Sequence, residues 1–381
     1  MIIERPAFER RIVASLDASR IPVVLGACGM GRTSLLLRLA RLLGEGHAQY
    51  LDFAAAATTP EICYAAILRA SRRSPDAATP PASAREAFDA LLAFFDGAAA
   101  DRDEPITFLI DEVLDIRTFE SFPGLRHVQR ELIARLAASP ARFVLASRFT
   151  ARTHRWLRDA PARFEVVHVP PLDAQEVLSL ALLFDGGRHD WAAQIAPAVA
   201  ALTAGRAAYV HLVVESLSTM GPATDPVAAL AALFAPAGRL TARCRESYEF
   251  RLHRARGYGA LKAILGILAA NEPQNLTEIS HHLRRTPGST KDYLSWLEDV
   301  DLVTCRSKRY SYEDPLLRLY VRLYGRPVPP TDDEIVREVQ AYAQSRLAQM
   351  PPRPPAEPAA VSFERFAESQ ARRDSGIVEI D

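Results

Sequence analysis

The chain has 381 residues, of which 49% are apolar, which is enough for a sizeable core and two or three domains. Formal net charge is zero, which excludes bulk electrostatic attraction to nucleic acid or to a membrane surface, so any basic patch must be local. Four scattered cysteines, Cys28, Cys63, Cys244 and Cys305, form no C-x-x-C pair; this excludes a disulfide framework or zinc site and points to free thiols in a reducing compartment. The charged first residues carry no secretory signal, and no apolar run approaches the roughly 20 residues that span a bilayer, so a cytoplasmic protein with no membrane partner is expected.

In chain order, residues 3–20 read as an extended entry and a helix, with Phe8, Ile12 and Leu16 at helical spacing. An apolar strand at 21–25 leads through a glycine-rich turn, 26–33, into a helix over 34–43. A strand at 48–53 follows, then helices over 60–71 and 84–96 separated by a Pro/Ala/Ser-rich loop at 74–84. Residues 106–112, Ile-Thr-Phe-Leu-Ile-Asp-Glu, read as a buried parallel strand ending in two carboxylates. A helix at 127–138, a strand at 142–146 ending in Ser147-Arg148, and a strand at 163–169 complete an alternating pattern that predicts a three-layer parallel α/β sheet. Asp173 with Glu176 has the spacing of a capping box, opening a helical stretch over 174–233. Helices at 261–269, 276–283 (with Thr277 as its cap) and 289–300 precede a hairpin, 302–305 and 310–312, whose tip Arg306-Ser307-Lys308-Arg309 is basic. Three helices and such a hairpin read as a winged helix-turn-helix. A helix at about 332–350, a Pro-rich segment at 351–358 and a polar tail end the chain. The expected domains are 1–172 (α/β), 173–258 (helical lid), 259–325 (winged helix) and 326–381 (terminal helix and tail).

The turn carries the chemistry. Gly26, Ala27, Cys28, Gly29, Met30, Gly31, Arg32 and Thr33 match G-x-x-x-x-G-K-[ST], except that Arg32 stands where Lys is expected. Glycines bring backbone N–H groups close to an anion, the helix start at Arg32, Thr33 and Ser34 adds its positive dipole end, and the Thr33 hydroxyl is of the kind that ligates Mg²⁺. Arg is a planar fork where Lys is a compact point charge. Three outcomes stay open: slow turnover, binding without turnover, or a site that binds nothing. Lys occurs only at Lys262, Lys291 and Lys308, so a general drift toward Arg accounts for Arg32 as well as selection does. Asp111 is the candidate second metal ligand and Glu112 the candidate base that orients and deprotonates water. Ser147 and Arg148 are candidates to touch phosphate or a neighbouring subunit, with Arg152 and Arg155 nearby, and Arg206 is placed to reach back over a nucleotide. The alternatives are a glycine turn without a ligand and a strand end with chance acids.

Gly26–Thr33, Asp111-Glu112 and Ser147-Arg148 together resemble the Walker A, Walker B and sensor-1 elements of AAA+/STAND-type P-loop ATPases, in particular archaeal and bacterial ATPases that end in a winged helix. The entry around Glu4-Arg5 and Phe8 is similar to that family's segment near the adenine, Val169-Pro170-Pro171-Leu172 to its linker into the lid, and Asp314-Pro315-Leu316-Leu317-Arg318 to its terminal module. The lid motif departs: Ala204-Gly205-Arg206-Ala207 lacks the second Gly and the Pro. The resemblance implies ATP and Mg²⁺ as ligands, a P-loop NTPase three-layer sheet, and Arg206 as a sensor-2 residue. It leaves three functions: an ATP-binding switch with slow hydrolysis as an option, coupled to the winged helix; an ATP-dependent DNA-binding regulator or loader; or a nucleotide-free scaffold. For DNA, Arg284, Arg285, Lys291, Arg306, Lys308 and Arg309 are the candidate contacts, against Asp292, Glu298 and Asp299 on the presumed recognition helix. A basic run, Arg243, Arg245, Arg251, Arg254 and Arg256, reads as a solvated helix face or as a further contact. The partner is duplex DNA, a protein or a second copy in a homo-oligomer.

Overall fold

The computed structural model describes residues 4–44, 46–71, 80–100, 106–184, 189–221, 223–253 and 257–349. Residue 3 of the expected entry, most of the 74–84 loop, Arg254 and Arg256 of the basic run, and the Pro-rich tail lie outside the described residues. Residues Met1–Leu347 form one compact unit.

Five strands, β1 (Ile21–Leu25), β2 (Ala48–Asp52), β3 (Thr107–Asp111), β4 (Arg142–Ser147) and β5 (Phe164–His168), form one parallel sheet in the order β2-β3-β4-β1-β5. The two-residue side-chain period divides each strand between two cores. Val24, Leu109, Val144 and Val167 join Ile12, Leu16, Leu36 and Leu39 from the helices Pro6–Asp17 and Arg32–Leu43. Their neighbours Val23, Leu25, Phe108, Ile110, Phe143 and Leu145 pack on the opposite face against Phe88, Leu91 and Phe95 of the helix Ala84–Ala100. Both faces are covered, so the sheet is the middle of three layers. Register aligns the strand ends: Leu25 pairs with Ser147 and Asp52 with Asp111, which puts the chemistry-bearing residues along one edge of the sheet.

Three local outcomes differ from the sequence reading. The second strand stops at Asp52, because its carboxylate accepts from Ala55 N (3.2 Å) and caps a short helix, Phe53–Ala56. The third strand stops at Asp111: Glu112 takes φ +51 and leads into a 3₁₀ helix, Val113–Ser121. The helices Thr150–Trp156 and Pro315–Tyr324 were not expected as elements, and Arg239–Leu252 was expected only as a basic run on a helix face or a further contact.

From Leu172 to Ala343 a single apolar core runs through the remaining helices. Ala174–Leu182 opens with the expected Asp173–Glu176 capping box, followed by His189–Thr203, Ala207–Met220, Pro226–Leu233 and Arg239–Leu252. Tyr258–Ala270, Leu276–Leu283 and Pro287–Asp299 come next, with a three-stranded antiparallel sheet of β6 (Gln274–Asn275), β7 (Val303–Arg306) and β8 (Arg309–Tyr312) in the order β6-β8-β7. The cap of Leu276–Leu283 is Asn275, not Thr277: its side chain accepts from Glu278 N at 2.9 Å while Glu278 accepts from Asn275 N at 2.7 Å. Arg306 and Arg309 are the last paired residues of the hairpin, so the turn itself is Ser307-Lys308, both at positive φ as a two-residue hairpin turn requires. The helices Pro315–Tyr324 and Asp332–Leu347 close this unit. Among the described residues no helix is long and apolar enough to cross a membrane.

Candidate functional site

The loop between β1 and the helix Arg32–Leu43 bends through Gly29 (φ +84) and Gly31 (φ +89), conformations that side chains with a Cβ rarely adopt. The same two glycines admit the start of the helix Ala207–Met220: Ala208 N donates to Gly29 O at 2.9 Å, and a Cβ at Gly31 would sit 3.4 Å from that of Ala207. A cavity of about 480 Å³ lies against this loop; Cys28, Gly29, Met30, Gly31, Arg32, Thr33 and Ser34 line it, with Tyr50, Asp52, Asp111, Glu112 and Arg148 from the neighbouring strand ends. Gly26 and Ala27 sit behind the lining.

Thr33 and Asp111, 78 residues apart in sequence, are in direct contact: the Thr33 hydroxyl donates to Asp111 Oδ2 at 2.6 Å, and the Tyr50 hydroxyl donates to the same oxygen at 3.2 Å. Burial raises the Asp111 pKa and the Glu112 charge adds to it, against the Thr33 hydrogen bond, Arg32 and Tyr50. Tyr50 is the partner that motif reading missed; its signal was only its place at the end of a strand beside β3.

Arg32 is buried and folded back on its own loop. Its Nη1 donates to Gly26 O and, at 3.0 Å, to Ala27 O, and its Nη2 donates to Glu112 Oε1 at 2.9 Å. Its Nε is buried without a protein partner. Glu112 is held from the other side as well: Arg148 N donates to Oε2 at 3.1 Å and Arg148 Nε lies 2.9 Å from the same oxygen, an ion pair whose N–H is not aligned as a hydrogen bond. Both oxygens of the candidate base are therefore engaged by arginines. Arg148 also approaches Asp115 Oδ2 at 3.4 Å and lies between the rings of Phe149 and Phe250, 5.7 and 5.2 Å from their centroids.

Ser147 is fully buried, with its Oγ accepting from Phe149 N at 3.2 Å, and is not among the residues that line this cavity. Arg206, expected to reach back over a nucleotide, is buried too and is not among the residues that line this cavity. Its guanidinium donates to Cys28 O (3.1 Å) and Glu313 O (2.6 Å), 3.7 Å from Asp314, so it joins the loop to the C-terminal segment. Arg5 lines the cavity but is spent on Glu176 (2.8 Å) and Pro170 O (2.9 Å), tying the entry segment to the 169–172 connection. Arg155 pairs with Asp299, and Asp301 accepts from Thr150 N at 2.6 Å, so the end of the helix Pro287–Asp299 docks on the segment that follows Arg148. Burial pushes Asp301 up to about 6 despite those N–H groups.

The six basic residues expected at a DNA surface are all exposed but not equally free. Lys291 donates to Tyr310 OH at 2.8 Å and Arg309 to Pro273 O at 3.1 Å, whereas the side chains of Arg284, Arg306 and Lys308 make no hydrogen bond or ion pair among the described residues.

Set beside solved structures, the chain is similar to a Walker-type ATPase of Pyrococcus abyssi, at 16% identity and a TM-score of 0.63 over 84% of this chain and 96% of that one. It is similar at lower scores to Cdc6p of Pyrobaculum aerophilum (13% identity, TM-score 0.41, 91% and 97% covered) and to the Orc1 protein of Aeropyrum pernix in complex with DNA (14%, 0.43, 92% and 95%). No family model matches the sequence, and no curated protein matches it. The parallel sheet, the flanking helices and the first of these likenesses define the fold as the three-layer α/β fold of the P-loop NTPases.

Proposed function

We propose that this chain binds a nucleoside triphosphate, ATP with Mg²⁺, and acts as a switch whose lid and C-terminal module respond to the nucleotide. The observation that carries this is the direct Thr33–Asp111 contact at 2.6 Å beside a glycine loop that lines a cavity. The residues fit the ligand: glycines at positive φ bend the loop along the cavity, and the buried Nε of Arg32 is a donor with no protein partner. Among the described residues no cluster of three or more His, Cys, Asp or Glu is placed to hold a metal, so Mg²⁺ would draw on Thr33 and Asp111 together with phosphate and water oxygens. The metal would neutralise phosphate charge there. The chain's own residues supply the rest: loop amides hold phosphate, Arg32 has only its Nε left to offer, and Glu112 stays paired until one of its two arginines lets go. That clamp favours binding with slow or no turnover.

The proposed division into an α/β domain (1–172), a lid (173–258), a winged helix (259–325) and a terminal segment gives the switch its parts. Arg206 bonds the loop at Cys28 and the C-terminal segment at Glu313, so a shift of the loop on nucleotide binding would be felt by the winged helix. Titration calorimetry with ATP and Mg²⁺ tests the reading. Micromolar or tighter binding that Asp111→Asn weakens supports it; no heat with the wild type, or binding indifferent to Asp111→Asn, sinks it. A second reading, contact with duplex DNA, is favoured by the unpartnered Arg284, Arg306 and Lys308. It requires affinity that falls steeply with salt, by roughly one logarithmic unit of slope per phosphate neutralised; a flat response excludes it.

A further inference from the structure

One helix places a single arginine in the wall of this cavity, in a stretch that the sequence reading gave only as a basic run. Arg239–Leu252 buries Leu240, Cys244, Tyr248 and Leu252 in the core at four-residue intervals. The neighbouring stripe, Arg243, Ser247, Phe250 and Arg251, faces the loop and the Arg148 segment. Phe250 lies against the Arg148 guanidinium, Arg251 donates to Asp301 O at 2.8 Å, Ser247 approaches the Cys28 thiol, and Arg243 lines the cavity.

Four arginines line that cavity: Arg5, Arg32, Arg148 and Arg243. Arg5 is bound to Glu176 and Pro170 O, Arg32 to Gly26 O, Ala27 O and Glu112, and Arg148 to Glu112 and Asp115. Arg243 is exposed, and among the described residues its side chain makes no hydrogen bond or ion pair. It is the cation of the cavity whose donors are all uncommitted. Its charge is felt at the loop: burial raises the Cys28 thiol pKa, yet Arg251, Arg243 and Arg32, with the Ser247 contact, outweigh it and hold the thiol below its ordinary value.

We propose that Arg243 is a phosphate-binding residue of this site, supplying from the helix Arg239–Leu252 the free positive charge that Arg32 has surrendered to Glu112 and the loop carbonyls. A guanidinium offers a planar fork suited to two phosphate oxygens, and charge-assisted hydrogen bonds of this kind are the strong ones. The inference rests on the nucleotide-binding reading above and assigns one further contact within it.

The experiment is titration calorimetry of the full chain with ATP and Mg²⁺, comparing wild type, Arg243→Gln, Arg243→Lys and Arg239→Gln, with a melting curve for each. Arg239→Gln removes the same charge one helical turn away, from a side chain already paired with Glu215 at 2.8 Å. Arg243→Gln is expected to weaken ATP binding by about tenfold or more, the loss of one charge-assisted contact, with melting unchanged because the side chain holds no protein group. Arg243→Lys is expected to recover most of the affinity, and Arg239→Gln to match the wild type within about twofold. ATP affinity in Arg243→Gln equal to wild type overturns the assignment while leaving nucleotide binding standing. Equal losses in Arg243→Gln and Arg239→Gln show a bulk charge effect and overturn it too, as does a fall in melting temperature that parallels the lost affinity. A wild type that binds no ATP removes this inference together with the reading beneath it.

Discussion

Arg32 is the residue whose removal is most informative, because its contacts are with the protein. In Arg32→Met, Glu112 Oε1 loses a cation at 2.9 Å in surroundings where both side chains are about one-tenth exposed. Breaking a buried pair by deleting one partner typically costs about 3–5 kcal/mol, and the Gly26 and Ala27 carbonyls lose a donor at about 1 kcal/mol each. Glu112 Oε2 keeps Arg148 N at 3.1 Å and the Arg148 guanidinium at 2.9 Å, which spreads the remaining charge and argues for the lower end. The expected loss is about 3 kcal/mol, or roughly 6 °C in melting temperature at about 2 °C per kcal/mol for a chain of this size. Glu112→Gln leaves Arg32 its carbonyl partners and should cost about half as much. The double variant should be less destabilised than the sum, with a coupling on the order of 1–2 kcal/mol, since each single change strands the other's buried charge. Scanning calorimetry without nucleotide reads all three. An Arg32→Met protein that melts within about 1 °C of wild type, or strict additivity in the double variant, refutes the view that Arg32 serves the fold as a buried ion-pair partner.

Asp301→Asn removes a buried carboxyl held up at about 6 in the folded chain, mainly by burial, with Glu313 adding and the Thr150 and Ala151 N–H groups and Arg251 opposing. The folded state then keeps its proton to higher pH than the unfolded state, whose Asp titrates near 4, so wild type loses stability as pH rises from about 4 to 6 and the cost is complete above that. The wild-type stability minus that of Asp301→Asn should fall by roughly 2–3 kcal/mol between pH 4 and 7; urea unfolding at four pH values checks it, and a difference independent of pH contradicts it. Gly205→Ala places a Cβ 2.4 Å from Leu172 O at a backbone φ of +63, and is expected to destabilise by about 2–3 kcal/mol in urea, with a variant as stable as wild type excluding that packing. Tyr209→Phe removes a buried hydrogen bond to Asp314 Oδ2 at 2.7 Å and should cost about 1–2 kcal/mol in the same assay; a neutral result would mean that the bond is not made.

What the chain carries locally was legible before any coordinates. The strands Ile21–Leu25 and Thr107–Asp111 are short apolar runs with a glycine turn or carboxylates behind them, and the alternation of such runs with helices implies a parallel sheet because each crossover must pack back on it. The sharp turn at Gly29 and Gly31 follows from spacing alone, since a glycine's access to positive φ is a property of the residue itself. Caps were partly legible: Asp173 with Glu176 reads correctly, but Thr277 draws attention away from Asn275, whose capping box has the same spacing two residues earlier. The helix Arg239–Leu252 was legible in its buried Leu240, Cys244, Tyr248 and Leu252, and was obscured by the arginines between them. Which charges are spent and which are free was decided only in three dimensions. Arg32, Arg148, Arg206 and Arg243 are the same residue type in the sequence, and nothing local separates them. Packing brings Glu112 between two of them, sets two peptide carbonyls against the third, and leaves the fourth open to the cavity. A guanidinium's availability depends on what long-range contacts place within about 3 Å of it, and that is a property of the tertiary structure.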